Sequence, residues 1–335
     1  SSRGIQHAWH FGYALVSVLK CYAATSVLRA SPLNWALCLP HILTFGVRMR
    51  LKADFFGDWV NIQKNILMNH WGYDVSSVPD NEIPFLYFNA EQRRPEAKVR
   101  QLLLADTFSC PQNLESGWER LKGLIKSGHD LTPNLSKLVN NLNNKDSMLN
   151  DWGVHHFHLG ENMKGDFIER TGPLLFALLV EDKFYAIGIF NHGSWADQDI
   201  VETIHRNWSS VVERYQIKGI VSSTPLTEQE RLNLRKRNAN SFVTVQDGTV
   251  YAPIGGGMVS SGFNMQAVMR KDRQQIFLRN LEQHLDSQLA SLREVFEKQG
   301  YNGEPELEAI LDITEDKYTA LFPKYGVSAI LWSKA

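Results

Sequence analysis

Three histidines fall within four residues in the segment Asp151-Trp152-Gly153-Val154-His155-His156-Phe157-His158-Leu159-Gly160. The segment reads as a short β-strand, and a strand turns successive side chains to opposite faces. His156 and His158 then share one face about 7 Å apart, while His155 points the other way, beside Phe157 and Leu159. Two imidazoles so placed can transfer protons, contact a phosphate or bind a metal. Histidine titrates near neutrality and can serve as acid or base. The same pair also suits a solvated sheet face.

A second polar cluster, Asn191-His192-Gly193-Ser194-Trp195, supplies a third imidazole. It reads equally as a strand-to-helix turn, with Gly193 permitting the backbone and Ser194 capping a helix. Ser194 lacks the Gly-x-Ser-x-Gly elbow of a hydrolase nucleophile. A metal site would take His156 and His158 with His192 or Asp166, but no further close-spaced ligand pair supports it. Gly255-Gly256-Gly257 with Gly262 lacks the Gly-Lys-Ser/Thr or Rossmann context of a phosphate cradle and reads as a flexible loop. Arg231-Leu-Asn-Leu-Arg235-Lys236-Arg237 is the most basic run, either a solvated helix face or a nucleic-acid contact.

These residues need a scaffold, and 335 residues can supply two or three domains. The chain is 43% hydrophobic and 21% charged, with a net charge of −1, so no global field draws it to nucleic acid or anionic membranes. Cys21, Cys38 and Cys110 have neither metal-ligand nor disulfide-framework spacing, which favours a reducing cytoplasm, and no cofactor is expected. Residues 7–46 are apolar, yet Lys20, Arg29, Pro32 and Pro40 break every run short of the roughly 18–20 residues a membrane span needs. No membrane partner is expected.

The pattern predicts an α+β protein in three regions. Residues 1–75 read as helical throughout. Residues 84–218 read as a central domain, with strands at 85–88, 99–108, 154–159, 174–180 and 184–190 and helices at 114–126, 132–142 and 196–215. Asn113 is a candidate cap for the first of these helices. Residues 219–335 read as a hairpin around Gln246-Asp247-Gly248, a long amphipathic helix at 271–299 and two short strands at 306–333. The long helix can pack within its own domain or against a second copy of the chain, giving a homodimer.

Within residues 98–205 the order is strand, two helices, then three strands ending in a polar cluster. The three strands are Val154-His-His-Phe-His-Leu159, Leu174-Leu-Phe-Ala-Leu-Leu-Val180 and Phe184-Tyr-Ala-Ile-Gly-Ile-Phe190, the last two joined across Glu181-Asp182-Lys183. This layout resembles the RelE/HigB-like ribonuclease toxin fold, a central antiparallel sheet with two helices. The resemblance implies a metal-independent endoribonuclease of toxin–antitoxin or phage-defence type, with RNA as substrate and a protein partner or inhibitor. It gives proton transfer to His156, His158 and His192, phosphate contacts to Arg170 and Lys164, and base stacking to Trp195. Family members often place Arg and Lys in the core strands, whereas these strands are nearly free of them, so histidines would carry the chemistry. Two other readings stay open. One is a non-catalytic binding or regulatory module with a degenerate sheet, and the other is a His-ligated metal-dependent phosphodiesterase.

Overall fold

The computed structural model describes residues 49–220, 226–314 and 317–334, and the backbone of 20–23 and 26–27. The fold is α+β, and the chain divides into two compact units, residues 71–271 and residues 1–70 with 272–335.

Residues 71–271 are built on a four-stranded sheet. In chain order the elements are α1 (Ile83–Arg93), β1 (Gln101–Leu104), α2 (Glu115–Ser127), α3 (Ser147–Trp152), β2 (Val154–Phe157), β3 (Leu174–Val180), β4 (Lys183–Phe190), α4 (Asp199–Val212) and α5 (Glu228–Lys236). A short hairpin, β5 (Val243–Thr244) and β6 (Val250–Tyr251), follows. The sheet order is β1-β4-β3-β2. Three strands run antiparallel, whereas β1 joins β4 in parallel, so the sheet is mixed rather than wholly antiparallel.

The apolar runs of β3 and β4 are continuous because both faces of the sheet are covered. On one face, Leu174, Phe176, Leu178, Tyr185 and Ile187 pack with Ile200, Val201 and Ile204 of α4 and with Met148 and Trp152 of α3. On the other, Leu175, Ala177, Phe184 and Ala186 pack with Trp118, Leu121 and Ile125 of α2. α2 comes close to the sheet at Gly117, where a β-carbon would lie 1.8 Å from the Leu159 carbonyl oxygen.

Several expectations need correction here. Residues 85–88 belong to α1, not to a strand. Pro84 sits in its first turn and residues 83, 84, 86–90 and 93 are all buried. A short apolar run does not by itself separate a buried helix from a buried strand. The helix expected at 132–142 is a pair of 3-10 turns, Thr132–Asn134 and Lys137–Asn140. α2 is entered through the 3-10 turn Gln112–Leu114, so Asn113 does not cap it. α4 begins at Asp199 with Gln198 at its cap position, so Ser194 does not cap it.

The boundary expected at residue 219 falls inside this unit, because Val243, Val245, Tyr251 and Ile254 join the α4-side core. The basic run on α5 is only partly a solvated face, with Lys236 and Arg237 exposed. Arg231 and Arg235 are buried, stacking on the Trp152 ring at 5.3 and 4.3 Å. The triple-glycine loop is also structural. The Gly255 N–H donates to the Asp151 carbonyl and the Gly257 N–H to that of Asn150. Those two donors are committed to α3 and are not free to cradle a phosphate.

The other unit, residues 1–70 with 272–335, has a five-stranded sheet. Its order is Ile310–Thr314, Lys317–Phe322, Val327–Ser333, Lys20–Ala23 and Ser26–Val27. A parallel pair joins Arg50–Lys52 to Glu306–Glu308. Residues 1–75 are therefore not helical throughout. Lys20–Ala23 finds its partner about 300 residues away in sequence, a pairing that local periodicity cannot reveal. Most of the expected N-terminal helical stretch lies outside the described residues, and the helix Phe55–Asn65 is present.

The long helix spans Met265–Gln288 and continues through the turns Leu289–Leu292 and Arg293–Glu297. Its buried stripe runs through Leu278, Leu281, Leu285, Leu289, Leu292 and Phe296, while Ile276 is exposed. No helix among the described residues is long and apolar enough to cross a membrane.

Candidate functional site: a histidine cleft on the edge strand

β2 is an edge strand, and a cleft of about 390 Å3 lies along it. Its walls include His155, His156, His158, Arg170, His192 and Trp195, together with Arg93, Ser136 and the Asn144–Leu149 segment. The structure thus gathers the three candidate proton-transfer histidines, the candidate phosphate-binding Arg170 and the candidate stacking residue Trp195. Lys164 is not among them. It sits exposed on the small hairpin Met163–Lys164/Phe167–Ile168, away from the cleft lining, so it is removed from the expected phosphate-binding set.

Register explains how the strand sorts its histidines. His156 pairs with Phe176 and His155 with Ala177, which places His156 on the α4 side and His155 on the α2 side. His156 rests against Trp195, with ring centres 5.0 Å apart at 64°. His192, at the end of β4, leans on the same indole at 5.2 Å and 81°. Trp195 is itself stacked on Phe176 at 5.7 Å. One tryptophan therefore fixes an imidazole of β2 and one from the turn after β4. Its ring is committed to that packing, and base stacking is not its evident use.

Trp195 is anchored in turn by α5. The Arg235 guanidinium donates to the Trp195 carbonyl, and its Nε donates to Asp151 at 2.9 Å in a fully buried ion pair.

His158 follows β2 directly and is buried. Its N–H donates to the Asn134 carbonyl at 2.6 Å, and the Asn134 amide returns a bond to the His158 carbonyl at 2.8 Å. Its Nδ1 accepts the Thr171 N–H at 3.2 Å, so Nε2 carries the proton of the neutral ring. Burial pushes its pKa down to about 4, aided by the positive field of Arg170, His156 and His192. His158 is therefore a neutral hydrogen-bond donor at physiological pH rather than a proton-transfer group, which amends its expected role. His155 is likewise pushed to about 4, chiefly by burial.

These depressed values set a pH dependence for folding. An unfolded histidine protonates near 6.5, whereas folded His158 resists protonation until about pH 4. The unfolded state binds more protons in that window, so stability is full above pH 6.5 and is lost as pH falls toward 4. The loss from His158 is roughly 3 kcal/mol. Urea unfolding should show a lower midpoint at pH 4.5 than at pH 7, with a smaller difference in His158→Gln. An equal difference in both proteins would refute the assignment.

Sequence reasoning missed Lys145 and Asp146, and it read Arg93-Arg94 only as a basic pair, either solvated or a nucleic-acid contact. Arg93 is buried and serves the carbonyls of Asn89, Leu138, Asn141 and Leu142, a structural clamp for the cleft wall. Lys145 is exposed and holds the Ser261 carbonyl. Asp146 is the N-cap of α3, and the string Asp146-Ser147-Met148-Leu149 carries a readable capping signal. Arg170 is exposed and has no ion-pair partner among the described residues.

No group of three or more His, Cys, Asp or Glu among the described residues is arranged to hold a metal ion. No known protein family matches the chain, and neither a curated protein nor a solved structure is significantly similar to it.

Proposed function

We propose that the protein is an endoribonuclease that cleaves RNA by metal-independent transesterification in the β2 cleft. The observation that carries this reading is the convergence of His156, His158, His192 and Arg170 on one cleft. In such a reaction the 2′-hydroxyl attacks the adjacent phosphorus. The 2′-O–P bond forms, the 5′-O–P bond breaks, and a 2′,3′-cyclic phosphate and a 5′-hydroxyl result.

His156 takes the 2′ proton and His192 returns one to the leaving 5′-oxygen, the base and acid roles that a placed imidazole can fill. Neutral His158 donates a hydrogen bond, and Arg170 offsets charge building on the phosphorane. The order of one strand, a helix and three strands over residues 98–205 supports a RelE-like setting by analogy of layout alone, with 3-10 turns where the second helix was expected.

The test is incubation with single-stranded and structured RNAs in excess chelator. The wild type should cleave at least one of them, and His156→Ala/His192→Ala should cleave it at least about 100-fold more slowly. No cleavage of any RNA by the wild type overturns the proposal.

A further inference from the structure

The two buried ring nitrogens of β2 and its exit face opposite partners. At His158, Nδ1 meets a donor, the Thr171 N–H. At His156, Nδ1 is buried and has no hydrogen-bond partner, and the group facing it is Oδ2 of Asp146 at 3.7 Å.

Asp146 is not free to turn away. Its Oδ1 accepts the Leu149 N–H at 3.0 Å as the cap of α3, which directs the second oxygen to the imidazole. The imidazole is held too, between Trp195 at 5.0 Å and Phe176 at 6.5 Å. A carboxylate is acceptor-only, so an unprotonated Nδ1 in this position would set lone pair against lone pair. A proton on Nδ1 removes that conflict. The separation of 3.7 Å is longer than a hydrogen bond, and such pairs commonly tighten when substrate fills a site.

We propose that Asp146 is a positioning residue that holds neutral His156 as the Nδ1–H tautomer, leaving the Nε2 lone pair as the base. The use of that lone pair rests on the ribonuclease reading; the tautomer does not. The fold then gives two neighbouring histidines opposite settings, with a proton acceptor at His156 Nε2 and a donor at His158 Nε2.

The capping role of Asp146 has to be separated from this one. Asp146→Ser keeps a good N-cap but is too short to reach His156. Long-range 1H–15N spectra of the histidine rings at mildly alkaline pH read the tautomer directly. Wild-type His156 should be Nδ1–H. Asp146→Ser should shift it toward Nε2–H, keep the wild-type melting temperature, and lower kcat at least about tenfold with KM little changed.

An Nε2–H tautomer in the wild type overturns the inference without any variant. An unchanged tautomer in Asp146→Ser also overturns it, leaving Asp146 as a cap alone. The expected tautomers in a protein that cleaves no RNA would uphold the positioning and reject the ribonuclease reading.

Discussion

Arg235→Ala is expected to lower stability by about 3–5 kcal/mol, a large share of what a domain has to lose. Both members of the Arg235–Asp151 pair are buried, with side chains 2% and 1% exposed. Burial pushes the Asp151 carboxyl up from its ordinary range, and Arg235, with a smaller contribution from Arg231, opposes that rise. Removing the guanidinium leaves the buried carboxylate without its hydrogen-bonded partner and with only the more distant Arg231 charge, strips a cation from the Trp152 face and frees the Trp195 carbonyl. The paired replacement Arg235→Met/Asp151→Leu should recover much of the loss, because a buried ion pair is costly to break and often neutral to replace. Urea unfolding measures all of this. A cost below about 1 kcal/mol for Arg235→Ala would show that the pair does not tie α5 to α3.

The second large effect is on rate. His156→Ala and His192→Ala should each lower kcat by about 10²–10⁴, the usual worth of a placed acid or base. The double variant should be little worse than the weaker single, since groups that act in one step do not add. Lys164→Ala should leave cleavage unchanged. Arg170→Ala should cost less than either histidine change, since an exposed cation is screened by solvent. Single-turnover kinetics on one RNA would rank the four. Equal, small losses from His156→Ala and Lys164→Ala would remove His156 from the chemistry.

How much of this was legible follows from where each signal lies. β3 and β4 were readable because the apolar runs 174–180 and 184–190 flank the polar turn Glu181-Asp182-Lys183. The sorting of His156 from His155 followed from strand alternation alone. His192 could be named as a partner because it ends the strand after the hairpin.

The failures have a common cause in long-range packing. Residues 85–88 looked like a strand, since four apolar residues fit either element until their burial is known. Arg231 and Arg235 looked like surface charge, because nothing local announces that Trp152 and Asp151 wait for them in the core. The resemblance gave Lys164 the same role as Arg170, but Lys164 lies on the small hairpin Met163–Lys164/Phe167–Ile168, off the cleft lining. Asp146 was missed although its capping signal was present, because its second role depends on β2 folding beside it. Lys20–Ala23 was read as helix, and its strand partner is at the far end of the chain.

The most direct test of the cleft as a transesterification site compares two substrates in excess chelator. One is an RNA oligonucleotide that the protein cuts, and the other is the same oligonucleotide with a single 2′-deoxy residue at the cut. The account predicts cleavage of the first to a 2′,3′-cyclic phosphate and a 5′-hydroxyl, and none of the second at that bond. Cleavage of the deoxy substrate at the same position, or products bearing a 5′-phosphate, would contradict it.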